Sequence, residues 1–409
     1  MRPRIPFYCF HRLGALCCAL ALLAPPALAG PPLTEGEALR IGLSRTELND
    51  WLRAGVAEAE ADAVEAGLWP NPTLDLGRDR TSNAREDRWQ IAQTLDISGR
   101  RGLRRDAAER RVAAAERDGK TRRAAVAADI RRLFHQALLR QEGLAAIQAW
   151  AQRFANAETT FAKLKKSGEV SGYDLRRLSR ERQTAEVKAA EVGAELARNR
   201  ERLAALIGRP VETLSGRLAP EAPAPIQGLL VRLAERPDLA ALLRRAEAAE
   251  LERQAAARGA IPDITLGLGR KNVTDNGLSD SGNLVSVSIA LPLFDRQQAA
   301  DSRGAARALG LKSEAALSQA RAEGDVRGLH RQTALLTTAA ASFRERAVTP
   351  SADLVRIAEA AYRAGESTLL ELLDAYRGAL DAELTALDLE WKARETRIEL
   401  DQLTGSHAE

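Results

Sequence analysis

At 409 residues, with 28% charged but only 4% aromatic side chains, the chain can build a large structure but not an aromatic-filled globule, which favours long helices packed side by side. Its formal charge of +4 is no argument for a nucleic-acid partner, because Arg2, Arg4 and Arg12 lie in an N-terminal leader whose removal leaves +1. All three cysteines (Cys9, Cys17, Cys18) lie there too, so the mature chain is expected to have no disulfide.

The leader, residues 1–29, has an apolar core too short to span a bilayer, followed by Ala27-Leu28-Ala29, a small-residue cleavage site. Neither Cys17 nor Cys18 has the Leu-small-small context of a lipoprotein signal. Beyond the leader no apolar run is long enough for a transmembrane helix.

Leu33–Gly67 reads as one helix, closed by Gly67 and then Pro70 and Pro72. A β-hairpin follows over residues 70–97. Arg100–Lys166 is a long helical pattern that stops at a turn marked by Gly168 and Gly172, and Tyr173–Leu206 is its return. A Pro- and Gly-rich linker, residues 208–225, precedes the same order again: helix Ile226–Arg258, hairpin 262–294, long helix Arg296–Arg363, a turn at Gly365, and helix Thr368–Leu403. Residues 30–207 and 226–409 thus read as two repeats. The duplication is plainest in the hairpins, where Pro70, Thr73, Leu74, Leu76 and Gly77 recur 192 residues later as Pro262, Thr265, Leu266, Leu268 and Gly269.

Helix lengths also match. Arg100–Lys166, at ~1.5 Å per residue, is ~100 Å long. Tyr173–Leu206 and Ile226–Arg258, end to end, would equal it. Thr368–Leu403 and Thr34–Gly67 would do the same beside Arg296–Arg363, which Pro350 should kink or interrupt. The expectation is a tall helical cylinder capped by hairpins.

In the strands Val285, Val287, Ile289 and Leu291 alternate with Ser286, Ser288 and Ala290, and Ile264, Leu266 and Leu268 with Thr265 and Gly267. Two settings satisfy this pattern: a soluble sheet packed on the helices, or membrane strands with Leu74, Leu76, Leu266, Leu268, Val285, Val287 and Ile289 on lipid and Thr73, Asp75, Thr265, Ser286 and Ser288 on water. Gln93 is out of phase between Ile91 and Leu95, and Trp89 is the main candidate for an aromatic girdle. Four strands cannot close a conducting barrel, so the membrane reading needs several chains.

The duplicated hairpins, the glycine turns and the segment YRAGESTLLELLDAYRGALDAEL (Tyr362–Leu384) resemble the TolC-like outer-membrane efflux proteins over essentially the whole mature chain. The last segment resembles the CzcC-like branch, which serves heavy-metal cation efflux. The resemblance implies a mainly α chain with membrane β: a homotrimer in which four strands per chain build a 12-stranded β-barrel, continued by a periplasmic α-helical barrel. It also implies a periplasmic adaptor and an inner-membrane RND-type pump, with no cofactor. By resemblance, Glu371 and Asp374, three apart on one helix face, line the closed periplasmic tip; Asp174 and Tyr362 latch it; Gly168 and Gly365 are the turns that meet the adaptor. A basic partner belongs two residues after Gly365, where Ser367 stands, so Arg363 or Arg177 is expected to substitute. On pattern alone, Glu371 and Asp374 also suit a solvated surface.

An enzyme is disfavoured: His135, His330 and His407 lack metal-ligand spacing, and no phosphate loop or nucleophile elbow is present. A soluble periplasmic coiled-coil protein would leave the paired hairpins unexplained. Within the efflux reading, heavy-metal cations come first as cargo, then drugs or other organic compounds, then secreted polypeptide.

Overall fold

The computed structural model describes residues 31–168 and 170–405; the expected leader and His407 lie outside them. Its described residues form nine α-helices and one antiparallel sheet of order β1-β2-β3-β4. The strands are β1 (Thr73–Arg80), β2 (Ala84–Leu95), β3 (Ile264–Asp275) and β4 (Leu278–Ile289). The two hairpins are zipped together along β2 and β3, from Ala84 opposite Asp275 to Leu95 opposite Ile264. β1 and β4 remain as free edges.

The second hairpin extends beyond its expected apolar arms. Residues 270–283 continue both strands to a two-residue turn at Asn276 (φ 48°) and Gly277 (φ 81°). Positive φ at both positions matches the twist of the flanking strands, and Asn-Gly is the pair that best tolerates it. At the other end β4 stops at Ile289, before Leu291, because Pro292 has no N–H to continue a ladder.

The helices form a curtain. The first is split where one was expected, into α1 (Glu35–Leu43) and α2 (Thr46–Gly67). Arg45 leaves the helical conformation, and its guanidinium donates to the carbonyls of Ala205 (2.7 Å) and Leu206 (3.1 Å) at the end of α4 (Gly172–Ile207). It caps orphan carbonyls there and seats α2 on top of α4. The chain's start is sewn to the linker as well: Leu33 N–H donates to Thr213 O, and Ser215 N–H to Leu33 O, both at 2.9 Å.

The linker then crosses α3 (Arg100–Lys166), where Gln141 bonds both the N–H and the carbonyl of Leu214. It reaches α9 (Leu369–Thr404), where Arg394 gathers the carbonyls of Arg217, Leu218 and Ala219 at 2.9 Å each. There α5 (Ile226–Leu233) buries Leu229 and Leu233 against Leu400 of α9 and Ala322 and Val326 of α7 (Gln298–Phe343). Pro237 cannot extend that helix and begins α6 (Pro237–Ala257) above α9.

From side to side the order is α2 over α4, then α3, then α6 over α9, then α7 continued by α8 (Thr349–Arg363). One long rod beside two end-to-end short ones is the expected plan, but with different partners. The helix over α4 is α2, not the one after the linker; the helix over α9 is α6, not the N-terminal one.

α7 and α8 join through a π-helical turn, Arg344–Val348. The interruption expected at Pro350 takes this form: Thr349 Oγ donates to Arg344 O at 3.0 Å and Ser351 Oγ to Ala347 O at 2.6 Å, so hydroxyls serve carbonyls that the altered ladder frees. Arg344 also ties the turn to Glu383 (3.1 Å) and Glu390 (2.5 Å) of α9.

Candidate functional site

Three regions carry chemistry: the sheet, the equator where the linker crosses, and the tip opposite the sheet.

Register decides the faces of the sheet. Leu74, Ile91, Leu268 and Val285 form one row; Leu266 faces Val287, and Ile264 faces Ile289. Every strand residue expected on lipid lies on this face and is exposed, up to 75% for Leu76 and 71% for Val285. Among the described residues no helix covers it, which disagrees with a sheet packed on the helices. Gln93 lies here as well, with its amide donating to Pro70 O at 2.8 Å, which satisfies the one polar group out of phase. The opposite face is knit by polar contacts: Gln90 donates to Ser286, and the hydroxyls of Thr94 and Thr265 lie 2.9 Å apart. Gly269 is required there, because a Cβ would fall 2.0 Å from the Trp89 carbonyl.

Beyond the apolar rows the faces diverge in charge, which the sequence reading missed. The apolar face continues with Arg78, Arg80, Arg85 and Arg270 against one acid, Asp87. The opposite face carries Asp75, Asp79, Glu86, Asp275 and Asp280 against Arg88 and Lys271. Lys271–Glu86 (2.6 Å) and Arg88–Asp79 (3.8 Å) pair within that face, which confirms the phase. The missed signal was the period-two alternation continuing through charges on both sides of Asn276-Gly277.

At the equator Arg131 of α3, 9% exposed, joins the first and last helices through Glu35 (2.5 Å) and Asp401 (3.0 Å). His135, 1% exposed, reaches the other Glu35 oxygen at 3.0 Å. Burial alone would raise the Glu35 carboxyl, but the hydrogen bond from His135 and the charges of His135 and Arg131 bring it down to about 2. Burial lowers His135 against the pull of Glu35, so the imidazole is neutral at pH 7 and Arg131 is the charge that lasts.

At the tip Gly365 (φ 75°) closes α8: its N–H donates to Tyr362 O at 3.1 Å and that of Glu366 to Ala361 O at 2.9 Å, a Schellman ending. Gly168 (φ 83°) ends α3, and no atom lies within 4 Å of where a Cβ would stand at either glycine. Glu371 is committed to a capping box: it accepts from Thr368 N–H at 2.7 Å, while Thr368 Oγ accepts from Glu371 N–H at 3.4 Å. Asp374, one turn on, is exposed beside it. Asp174 bonds its own N-cap, Ser171, at 2.6 Å.

Tyr362 stacks on Phe161 with centroids 5.2 Å apart; burial, then the charge of Asp174, raises its phenol above the ordinary range. Asp174 is thus near enough for its charge to be felt at Tyr362, while its hydrogen bonds go to Ser171. Neither suggested basic substitute joins them among the described residues: Arg363 donates to Glu359 O of its own helix, and Arg177 Nε is buried without a partner. What ties α4 to α9 is a pair that sequence reasoning missed, Arg377 bidentate on the buried Glu181. Burial would raise that carboxyl, and the Arg377 hydrogen bonds and charge hold it below the ordinary range. Aromatic contacts (Trp150–Tyr376, Phe154–Tyr376, Phe161–Tyr362) fasten α3 to α8 and α9 above the tip.

Residues 231–406 match the model of the outer membrane efflux protein family. The same likeness runs through the rest of the chain. Over 401 residues it is 25% identical to the cobalt-zinc-cadmium resistance protein CzcC of Cupriavidus metallidurans, covering 93% of this chain and 92% of that one. The fold matches CusC, a transmembrane channel, with a TM-score of 0.75 at 17% identity, over 90% of this chain and 91% of that one. It matches the outer membrane protein VceC of Vibrio cholerae at 0.74 and 18%, over 91% and 96%. The chain resembles the outer membrane efflux proteins in sequence over its second half and in fold throughout. This efflux protein is an outer-membrane channel with a helical extension into the periplasm. The proteins it resembles are outer-membrane channels rather than enzymes or soluble coiled-coil proteins. No helix among the described residues is long and apolar enough to cross a membrane.

Proposed function

We propose that three copies of this chain close one barrel, four strands from each, and that their helices form the exit duct of a tripartite pump carrying metal cations. The supporting observation is an exposed apolar face on a sheet whose edges, β1 and β4, are both unpaired. Free backbone groups are not tolerated in hydrocarbon, and four strands cannot close a conducting barrel, so the edges must pair with other copies. Residues 30–207 and 226–409 are then two repeats, each with a hairpin, a long rod and a return helix, joined by the linker 208–225. The complex in detergent should have the mass of a trimer; a monodisperse monomer that conducts in planar bilayers would overturn the reading.

Cation cargo is supported by the name of the C. metallidurans relative and by the acid-rich face of the sheet, which lines the lumen once the apolar face meets lipid. All cysteines and the one methionine lie within the leader, so the mature wall has no sulfur to retain a soft ion. That suits a conduit, with an inner-membrane pump selecting the cargo.

Glu371 and Asp374 are assigned to the periplasmic entrance, where three copies would place a carboxylate ring that favours cations. The double variant Glu371→Gln/Asp374→Asn removes the charge and keeps the cap, because Gln serves a capping box as Glu does. Single-channel reversal potentials in a salt gradient should show reduced cation selectivity, and block by trivalent cations should weaken. Unchanged selectivity and block would place both groups on the outer surface. Closure should persist in this variant, since we assign it to Asp174, Tyr362 and the surrounding helix contacts.

Gly168 and Gly365 are assigned to the adaptor-facing turns. Gly365→Trp meets no atom within 4 Å in the chain, yet places a large ring where an adaptor would dock and strains a positive φ by about 1–2 kcal/mol. Cellular efflux should be lost while trimer and barrel persist. Normal efflux from a well-expressed variant would remove this turn from the docking site.

A further inference from the structure

We propose that the outward end of the sheet carries an arginine belt that binds the phosphorylated headgroups of anionic lipid in the outer leaflet. The inference rests on the apolar face meeting lipid, as proposed above.

Four rows of side chains make the apolar stripe, from Leu95, Ile264 and Ile289 up to Leu76 and Trp89. At ~6.8 Å between same-face rows they cover ~20 Å along the strands. Exposed Leu291, Leu293 and Phe294 lengthen the stripe past the end of β4, at the helix side. At the opposite end the same face changes abruptly. Arg270 stands in the Trp89 row, Arg78 and Asp87 in the next, and Arg80 and Arg85 face each other in the one after.

Like charges directly opposite on a sheet repel, and Asp87 is the one carboxylate on this face to offset them. It is already shared, accepting from both Arg78 and Arg85, the latter at 2.8 Å. Arg80 is exposed and has no carboxylate partner among the described residues. The rest of these rows is also polar and uncharged: Asn272, Thr274, Ser279 and Ser281, with Arg270 donating to Ser281 at 2.8 Å. On the far face of the same strands Arg88 and Lys271 are outnumbered by five acids, so net positive charge is gathered on this side alone.

An anion is needed, and its chemistry follows from position. The belt sits directly above hydrocarbon, where lipid headgroups are, and guanidinium groups pair with phosphate oxygens in a bidentate fashion. A phosphate carried on acyl chains would bring its chains down beside Trp89 and Ile91.

The test uses full-length assembled protein in detergent, with binding read by native mass spectrometry. Three probes are compared: bisphosphorylated lipid A, dephosphorylated lipid A and inorganic phosphate. Lipid A should bind about tenfold or more tightly than its dephosphorylated form, and Arg80→Ser/Arg85→Ser should remove most of that difference. Assembly should survive, since the change relieves a like-charge pair; Arg80→Ser alone gives a milder version of the loss. Arg88→Ser/Lys271→Ser, on the other face, should bind as wild type does. Equal lipid A binding by wild type and Arg80→Ser/Arg85→Ser would overturn the proposal. So would an equal loss in the far-face variant, or displacement of lipid A by millimolar inorganic phosphate. The strand-phase comparison of Val287 and Ser288 below is independent: if it succeeds and the belt variants do nothing, the belt alone is wrong.

Discussion

Val287→Arg is expected to cut the yield of assembled channel severely, whereas Ser288→Arg, one residue on, should leave most of it. Val287 is 63% exposed and faces Leu266 across the sheet. An arginine there meets hydrocarbon, at about 2–4 kcal/mol per copy near the bilayer midplane, and a trimer bears that three times. Ser288 faces Thr265, whose hydroxyl is bonded to Thr94 on the polar side. An arginine there points into water. The measurement is the fraction of outer-membrane protein that migrates as an unheated, folded oligomer. Equal yields from the two variants would reverse the strand phase or take the hairpin out of lipid, and the assembly reading would go with it.

The parts of this fold written in short-range pattern were legible. Val285, Val287 and Ile289 alternate with serine and alanine, and the first hairpin repeats the second in Pro70, Thr73, Leu74, Leu76 and Gly77. Neither feature needs knowledge of distant contacts. The outward half of the sheet was missed because its alternation is between charges of opposite sign, which a hydrophobic periodicity does not register, although Asn276-Gly277 marks the turn.

The partners of the rods were not legible for another reason. The short segments are nearly equal in length, so length matching cannot say which stands on which. The deciding contacts are single ones made across the chain: Arg45 on the carbonyls ending α4, Gln141 on Leu214, Arg394 on the linker. The break at Arg45 likewise has no proline, and Gly42 before it lies inside the last turn of α1 rather than at the break. At the tip, Thr368 and Glu371 have capping-box spacing in the sequence, but the glutamate drew attention as a ring carboxylate rather than as a cap. The Glu181–Arg377 pair lies 196 residues apart, beyond the reach of any local pattern.

Asp401→Asn is expected to destabilise the helical part away from the membrane. Asp401 and Arg131 have side chains 8% and 10% exposed, and Asp401 also accepts from Arg397 at 2.7 Å. Arg131 keeps Glu35 as a carboxylate partner, so the cost is that of charge-assisted hydrogen bonds weakened in a buried site, about 1.5–3 kcal/mol. The contact also joins the last helix to α3 and, through Glu35, to the first, so its loss loosens the equator where the linker crosses.

The same cluster predicts how stability falls with acid. Glu35 is held at about 2 against an ordinary 4.5, so its contribution is full above pH 4.5 and is lost as pH falls toward 2. His135 is lowered from 6.5; buried and neutral, it too supports the fold above pH 6.5 and less as acid protonates it. Wild type should therefore lose stability in two stages on acidification. Glu35→Gln should lower stability at pH 7 by about 2–3 kcal/mol. Its gap from wild type should then close between pH 4.5 and 2, where the wild-type carboxylate takes up its proton. Helical circular dichroism during thermal unfolding in detergent, across that range, makes the comparison. Parallel curves for wild type and variant would mean that the carboxylate of Glu35 contributes nothing through its charge, and that the equator is held by its apolar contacts around Ile130, Phe134 and Leu203.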